Sequence, residues 1–498
     1  MAERRPAHGA LAAEQNAGSD PGPKRSGDEV RYVSSRGEAP VLGFADTLLA
    51  GLANDGGLYL PETWPQISAE TIRGFAGRPY AEVAFEILLP YVGGDIAPDD
   101  LKRMVDEAYA TFPHPAVAPL VQLGPSHFVL ELFHGPTLAF KDVAMQLIAR
   151  LMDHVLAQRG RRATIVGATS GDTGGAAIAA FAASQRTDMF ILFPHGRVSP
   201  VQQRQMTTSG ADNVHAVAVD GTFDDCQALV KAMFNHAAFR QKAALSGVNS
   251  INWGRIMAQI VYYFTAAASL GAPERAVSFT VPTGNFGDIF AGYAAKRMGL
   301  PVERLVIATN ENDILVRTLD RGRYETTGVH ATTSPSMDIQ VSSNFERLIF
   351  EASGRDGNRV RGLMQQLAQS GSFTLPEAVL AAIRAEFDAG ATDQAATADI
   401  IRRTLTGTAY LLDPHTAVGV GVAESRLGRE AMITLGTAHP AKFPDAIEKA
   451  VQITPALPPS HGDLMQKRET MDRLPNEIGA VESYILARTR AVDQGAEA

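Results

Sequence analysis

From residue 128 onward, short apolar runs alternate with stretches of helical periodicity, a rhythm few folds can accommodate. The runs at 128–133, 164–168, 189–193 and 214–219 are each followed by a helix-like segment. A second series lies at 277–281 and 305–308, with a late run at 432–435. Strands separated by helices of about 10–15 residues pair in parallel rather than as hairpins, and a parallel sheet needs helices over both faces. The expected class is therefore α/β, with two open, mainly parallel-sheet units and a cleft between them, where such folds hold their ligands. Helical patterns at 81–89 and 99–110 predict a small, mainly helical N-terminal domain ending near Phe112-Pro113-His114-Pro115. Between 344 and 405 lie about four helical patterns, including 376–387 and 397–405, with no convincing strand, which predicts a helical insertion. The expected organisation is a disordered extension over 1–28, the helical domain over 29–115 and an α/β unit over 116–245. A larger α/β unit over 246–480 and a C-terminal helix and tail over 481–498 complete it.

The bulk numbers narrow the function classes. A chain of 498 residues exceeds one hydrophobic core. A net charge of -9 argues against a nucleic-acid-binding surface, while leaving room for a local basic pocket. The single cysteine, Cys226, excludes an internal disulfide and a multi-cysteine metal cluster, and no metal site is expected. No apolar run is long enough to span a membrane. The first 28 residues lack the apolar core of a secretory signal and carry Glu3, Glu14, Asp20 and Asp28, unlike acid-poor transit peptides. The expected location is the cytoplasm.

The chemistry centres on His134-Gly135-Pro136-Thr137-Leu138-Ala139-Phe140-Lys141-Asp142, between a strand at 128–133 and a helical pattern at 138–156. A lysine enclosed by Leu138, Ala139, Phe140, Val143 and Ala144 loses hydration of its ammonium form, so its free amine becomes accessible and can form a Schiff base. Most lysines at helix starts are merely solvated, so the reading depends on its companions.

Four companions follow strands or open helices. Pro282-Thr283-Gly284-Asn285-Phe286-Gly287-Asp288 offers a glycine-lined strand-to-helix turn whose amides can cradle a phosphate, although standing alone it is equally an ordinary turn. It lacks a Walker lysine and the dinucleotide glycine spacing. Thr169-Ser170-Gly171-Asp172-Thr173-Gly174-Gly175 supplies hydroxyls and amides suited to a carboxylate. Asn249-Ser250-Ile251-Asn252-Trp253-Gly254-Arg255 can hold a second anion through its guanidinium fork, or is a polar loop with a solvated Arg. In Leu435-Gly436-Thr437-Ala438-His439-Pro440, Thr437 is a neutral hydroxyl able to meet an unprotonated pyridine nitrogen, and His439 reads as structural. Together these signals point to pyridoxal 5'-phosphate and an amino-acid substrate that itself carries phosphate.

These segments resemble the threonine synthase family of the fold type II pyridoxal-phosphate enzymes, from about residue 32 to about residue 486. Tyr32-Val33-Ser34-Ser35-Arg36-Gly37 with Asp55-Gly56-Gly57-Leu58-Tyr59 is similar to the family's N-terminal domain, and the lysine, glycine and Thr437-Ala438-His439-Pro440-Ala441-Lys442-Phe443 segments match as well. The resemblance implies that Lys141 carries the cofactor and acts as the base. It implies that Gly284, Asn285, Phe286 and Gly287 bind the cofactor phosphate beside Asp288, and that Thr437 faces the ring nitrogen. Thr169, Ser170, Gly171, Asp172 and Thr173 would surround the substrate carboxylate and the cofactor's 3'-hydroxyl, with Asp172 where relatives in this fold often have Asn. Asn249, Ser250 and Arg255 would receive the substrate's phosphate, with Lys442 a minor candidate there. The implied reaction takes O-phospho-L-homoserine and water to L-threonine and phosphate, in a monomer or homodimer without nucleic-acid or membrane partners. A phospholyase or amino-acid dehydratase on the same fold is the alternative.

Overall fold

The computed structural model describes residues 30–182 and 184–492; the extension expected over 1–28 and the last residues of the expected C-terminal tail lie outside the described residues. Six strands build the larger sheet, in the order Phe387–Ala391, Val302–Thr309, Val277–Pro282, Ala431–Gly436, His127–Glu131, Leu120–Gln122, and all neighbours are parallel except the last two. Five parallel strands build the smaller one: Asp472–Pro475, Val214–Asp220, Thr187–Pro194, Ala163–Ala168 and Leu245–Ser246. The strand Thr187–Pro194 is buried at every position, as a central parallel strand covered on both faces must be.

Two expectations need correction. The segment 344–405 is not purely helical: Ser372–Thr374 pairs antiparallel with Arg323–Glu325, and Phe387–Ala391 joins the larger sheet beside Val302–Thr309. The sequence Phe387-Asp388-Ala389-Gly390-Ala391 has low strand propensity, and an edge position with one neighbour supplies the pairing that its side chains do not advertise. A boundary at 245 also fails to separate the sheets. Strands Leu120–Gln122 and His127–Glu131 belong to the larger sheet, and Asp472–Pro475 returns to the smaller. Neighbours in a parallel sheet are chosen by the crossover connections, so chain order does not reveal them.

Ahead of the sheets, an antiparallel strand pair, Tyr32–Ser34 with Tyr59–Pro61, is joined by helices Phe44–Ala50, Ala69–Gly74, Tyr80–Val92 and Pro98–Tyr109. This mainly helical unit packs on the helix Trp253–Ser269. Trp253, wholly enclosed, meets the rings of Tyr91, Trp64 and Tyr32 at 5.7, 6.0 and 6.1 Å between centroids. Each large side chain taken out of water here contributes roughly 2–3 kcal/mol. The start of that helix carries Arg255, so aromatic packing by the N-terminal unit fixes an element of the candidate site.

The three middle strands of the larger sheet, Val277–Pro282, Ala431–Gly436 and His127–Glu131, are neighbours. Because they run parallel, their carboxyl ends bring the loops after Pro282, Gly436 and Glu131 together.

Candidate active site

Lys141 is the first residue of the helix Lys141–Gln158 and is only 8% exposed, among buried Leu138, Ala139, Val143 and Ala144. The chain reaches it through a strained turn, with Leu138 in the left-handed region at φ 60. Phe140 N donates to Thr437 O at 2.8 Å and His439 N to Leu138 O at 3.0 Å, so the lysine and Thr437 segments are laced together. Lys141 Nζ lies 3.5 Å from Asp172 Oδ2 and 4.8 Å from the centre of the Phe140 ring. Burial lowers the lysine's pKa; Asp172 opposes this, and Arg255 and Lys442 push it further down.

The helix start is held by Asp142, whose carboxylate accepts from Thr137 N at 2.8 Å and Thr137 Oγ1 at 2.7 Å. Only glycine fits opposite it, because a Cβ at Gly135 would stand 2.4 Å from Asp142 Cβ. Gly135→Ala is therefore expected to displace Asp142 from Thr137 and to lower the unfolding free energy by about 2–3 kcal/mol through overpacking. A urea titration with an unchanged midpoint would contradict this account of the turn.

The glycine loop is strained as well. Phe286 is left-handed at φ 64 and buried against Phe345 and Phe387, and it caps the helix Gly287–Arg297, whose first amides have no partners within the helix. A Cβ on Gly284 would come within 2.6 Å of Ser336 O, while Ser342 Oγ donates to Gly284 O at 2.6 Å. Asp288 accepts from the hydroxyls of Tyr262 and Tyr263, and its Oδ2 is buried with no hydrogen-bond partner among the described residues. Burial pushes its pKa up to about 6 against those bonds.

Asn344 joins the glycine loop to the anion loop. Its Nδ2 donates to Ser250 O at 3.1 Å and to Asn285 O at 2.9 Å. Arg347, wholly buried, donates to Asn344 Oδ1, to Ile251 O at 2.7 Å and twice to Tyr59 O. Arg255 differs. It is 3% exposed, yet the one hydrogen bond of its guanidinium among the described residues runs from Nη1 to Val248 O at 3.5 Å, the outer limit for such a bond. Burial pushes its pKa down to about 10. Asn252 caps the helix through Gly254 N, Asn249 is exposed and Ser250 is half-buried, so of the three candidate anion ligands only Arg255 is fully interior.

On the smaller sheet, Thr169 Oγ1 accepts from Gly171 N and Gly174 N, both at 2.9 Å, and so shapes the turn that Ser170 and Thr173 flank. Gly171, at φ 141, is packed against Gln202. Asp172, 5% exposed, faces both Lys141 and Lys442 and accepts from Gln202 Nε2 at 2.9 Å and Ser336 Oγ at 3.3 Å. Burial alone would raise its pKa, but Lys442 and then Lys141 hold it far below the usual carboxylate range. Thr437 is buried, and its amide donates to Thr416 Oγ1 at 3.1 Å. His439 Nδ1 accepts from Ala441 N, and burial pushes the imidazole down to about 4, which suits a structural role.

Several residues of this wall carry no sequence signal: Gln202, Gln205, Ser336, Ser342, Asn344 and Arg347. Each acts on a partner distant in the chain. Lys442, read as a minor anion ligand, instead lies fully buried with its Nζ 3.1 Å from Asp172 Oδ1. A groove of about 530 Å³ shares Thr137 and Gln205 with this wall.

Comparison with known proteins adds three family matches. Models described as threonine synthase N terminus, pyridoxal-phosphate dependent enzyme, and threonine synthase C-terminal match residues 31–109, 112–433 and 416–485. Threonine synthase of Pseudomonas aeruginosa is 53% identical over 459 residues, covering 92% of this chain and 98% of that one. The Saccharomyces cerevisiae enzyme is 42% identical over 456 residues, covering 84% and 89%. The crystal structure of PLP-bound threonine synthase from Brucella melitensis superposes with a TM-score of 0.92 at 65% identity, over 93% of this chain and all of that one.

Proposed function

The chain belongs to the threonine synthase family, and from that membership we propose that it converts O-phospho-L-homoserine and water into L-threonine and phosphate, the last step of threonine biosynthesis. Its cofactor is pyridoxal 5'-phosphate. The observation that carries the reading is the meeting of a buried, pKa-lowered Lys141 with a glycine-lined helix start and a buried guanidinium that has almost no protein partner.

These residues fit the cofactor. The glycine loop is held tightly from outside by Ser336, Ser342 and Asn344, and the unpaired first amides of Gly287–Arg297 favour an anion. In this reading Gly284, Asn285, Phe286 and Gly287 take the cofactor phosphate, with Asp288 alongside, Thr437 faces the ring nitrogen, and Asp172 stands near the 3'-oxygen. When bound, pyridoxal phosphate supplies an electron sink that makes carbons next to the substrate amine acidic.

The chain's own residues do the rest. Lys141, as a free amine, takes the proton from the substrate's Cα and then acts at Cβ. Ser170, Gly171 and Thr173, on the turn shaped by Thr169, hold the substrate carboxylate. Arg255 with Ser250 receives the substrate's phosphate and holds it as it leaves Cγ, which favours elimination over return; Asn249, being exposed, takes part only if the loop moves inward. The proton taken from Cβ goes to Cγ, which becomes the methyl carbon; water then adds its hydroxyl at Cβ and gives its proton to the departing phosphate, and Lys141 returns the proton to Cα. The reading carries with it a monomer or homodimer, and we place the activity in the cytoplasm. No helix among the described residues is long and apolar enough to cross a membrane.

The test is product analysis. Incubated with O-phospho-L-homoserine, the purified protein should release threonine and phosphate in equal amounts. Formation of 2-oxobutanoate without threonine would instead establish a phospholyase that stops after elimination.

A further inference from the structure

Asp172 serves two lysines unequally. Its Oδ2 lies 3.5 Å from Lys141 Nζ, and its Oδ1 lies 3.1 Å from Lys442 Nζ. Lys442 Nζ also donates to Thr137 O at 2.5 Å and to Gln205 Oε1 at 2.8 Å. A carbonyl, an amide oxygen and a carboxylate can only accept, so this ammonium is met by two hydrogen-bond acceptors and one ion-pair partner. Gln205 is itself fixed, because its Nε2 donates to Thr137 O at 2.9 Å, and Gln202 and Ser336 orient the carboxylate. Lys141 has no such set: it has one long contact with Asp172 and an aromatic ring.

We propose that Lys442 is a positioning residue that forms a standing ion pair with Asp172 and thereby keeps Lys141 an uncharged amine, ready for the cofactor's aldehyde. The inference rests on the reading of Lys141 as the cofactor lysine. With both lysines charged, one buried carboxylate would face two ammonium groups, and Arg255, from the helix Trp253–Ser269, adds a third cation near Lys141. The other groups facing this cluster are Asp142, which faces Lys442 and is engaged by Thr137, Asp288, engaged by Tyr262 and Tyr263, and His415 beside Asp172, held by Asp413. Releasing one proton to solvent relieves the excess, and Lys141 holds its proton with the fewest bonds. Burial and both neighbouring cations act in that direction. Removing the charge at 442 leaves Asp172 to Lys141 with no competing lysine, and the lysine then keeps its proton.

The experiment follows capture of pyridoxal phosphate by the apoenzyme across a pH series, by absorbance, with borohydride trapping and peptide mapping; turnover is not the readout. K442M and K442Q should raise the pH midpoint of capture by at least about one unit, or slow capture about tenfold at a fixed pH below both midpoints. K442R should restore the wild-type midpoint, which a hydrogen-bonding role alone would not require, since Gln can also donate to Thr137 O and Asp172. An unmoved midpoint in K442M and K442Q, with Lys141 still the trapped residue, overturns the proposal. If those variants do not fold, Q205L carries the test. It loosens Lys442 without touching Lys141 and should shift the midpoint upward by less; no shift overturns the proposal. If the trapped peptide in the wild type is not that of Lys141, the underlying reading of the site fails instead.

Discussion

Lys141→Ala should lose at least about four orders of magnitude in turnover, because one change removes both the covalent anchor and the proton acceptor, and positioned acid–base groups alone are worth about 10²–10⁴-fold. The same variant should bind pyridoxal phosphate only as the free aldehyde, without the absorption band of the lysine-linked form. It should also fold. Lys141 opens its helix, where alanine is tolerated, and the turn before it is held by Asp142, Thr137 and the Thr437 segment rather than by the amine. The pH dependence has a definite sign. Burial lowers the folded-state pKa of Lys141 below its unfolded value, so the folded protein binds fewer protons between the two. Stability from this group therefore rises as pH climbs from the lowered value toward about 10.4, and at neutral pH the buried amine is a cost that alanine removes. Thermal midpoints of the cofactor-free proteins at pH 7 should be no lower in the variant than in the wild type. Turnover above about one per cent of wild type, measured by phosphate release, would exclude Lys141 as the working amine.

What the sequence disclosed divides by distance along the chain. The lysine segment, the Gly284 to Asp288 turn, the Thr169 to Thr173 turn and Thr437 are each a contiguous run after a strand, and strand ends, breakers and helix starts are local properties. The rhythm of the strands announced two parallel sheets for the same reason. Hidden from it was everything that depends on which distant pieces touch. Nothing near Asn344 signals that its amide group will reach both Ser250 and Asn285, or that Arg347 will run from Tyr59 to Ile251. Lys442 looked like one more cation beside Thr437. Its hydrogen bonds to Thr137 and Gln205 exist only because the two sheets bring their loops to one place. The strand Phe387–Ala391 escaped notice because edge pairing, not side-chain preference, makes it a strand.

Arg255→Met should cut kcat/KM for O-phosphohomoserine by about 10³-fold, since two charge-assisted hydrogen bonds to a phosphate are together worth roughly 3–5 kcal/mol. Stability should move the other way. A buried guanidinium with one marginal bond at 3.5 Å carries most of its desolvation cost uncompensated, as its pKa of about 10 reflects, and methionine of similar length removes that cost. Arg347 shows the opposite condition at equal burial: its bonds to Tyr59, Ile251 and Asn344 make it part of the frame. A site that retains a buried cation at a net cost to folding is holding it for an anion that arrives later. Which anion is decided by a second measurement on the same variant. Ser250 touches the space beside Gly287, so Arg255 could in principle serve the cofactor's phosphate or the substrate's. If it serves the substrate, inhibition by inorganic phosphate weakens by a similar factor while the dissociation constant for pyridoxal phosphate stays within about threefold of wild type, a difference of about 0.7 kcal/mol. Unchanged phosphate inhibition together with weakened cofactor binding would move Arg255 to the cofactor side of the cleft and leave the substrate's phosphate without its principal cation.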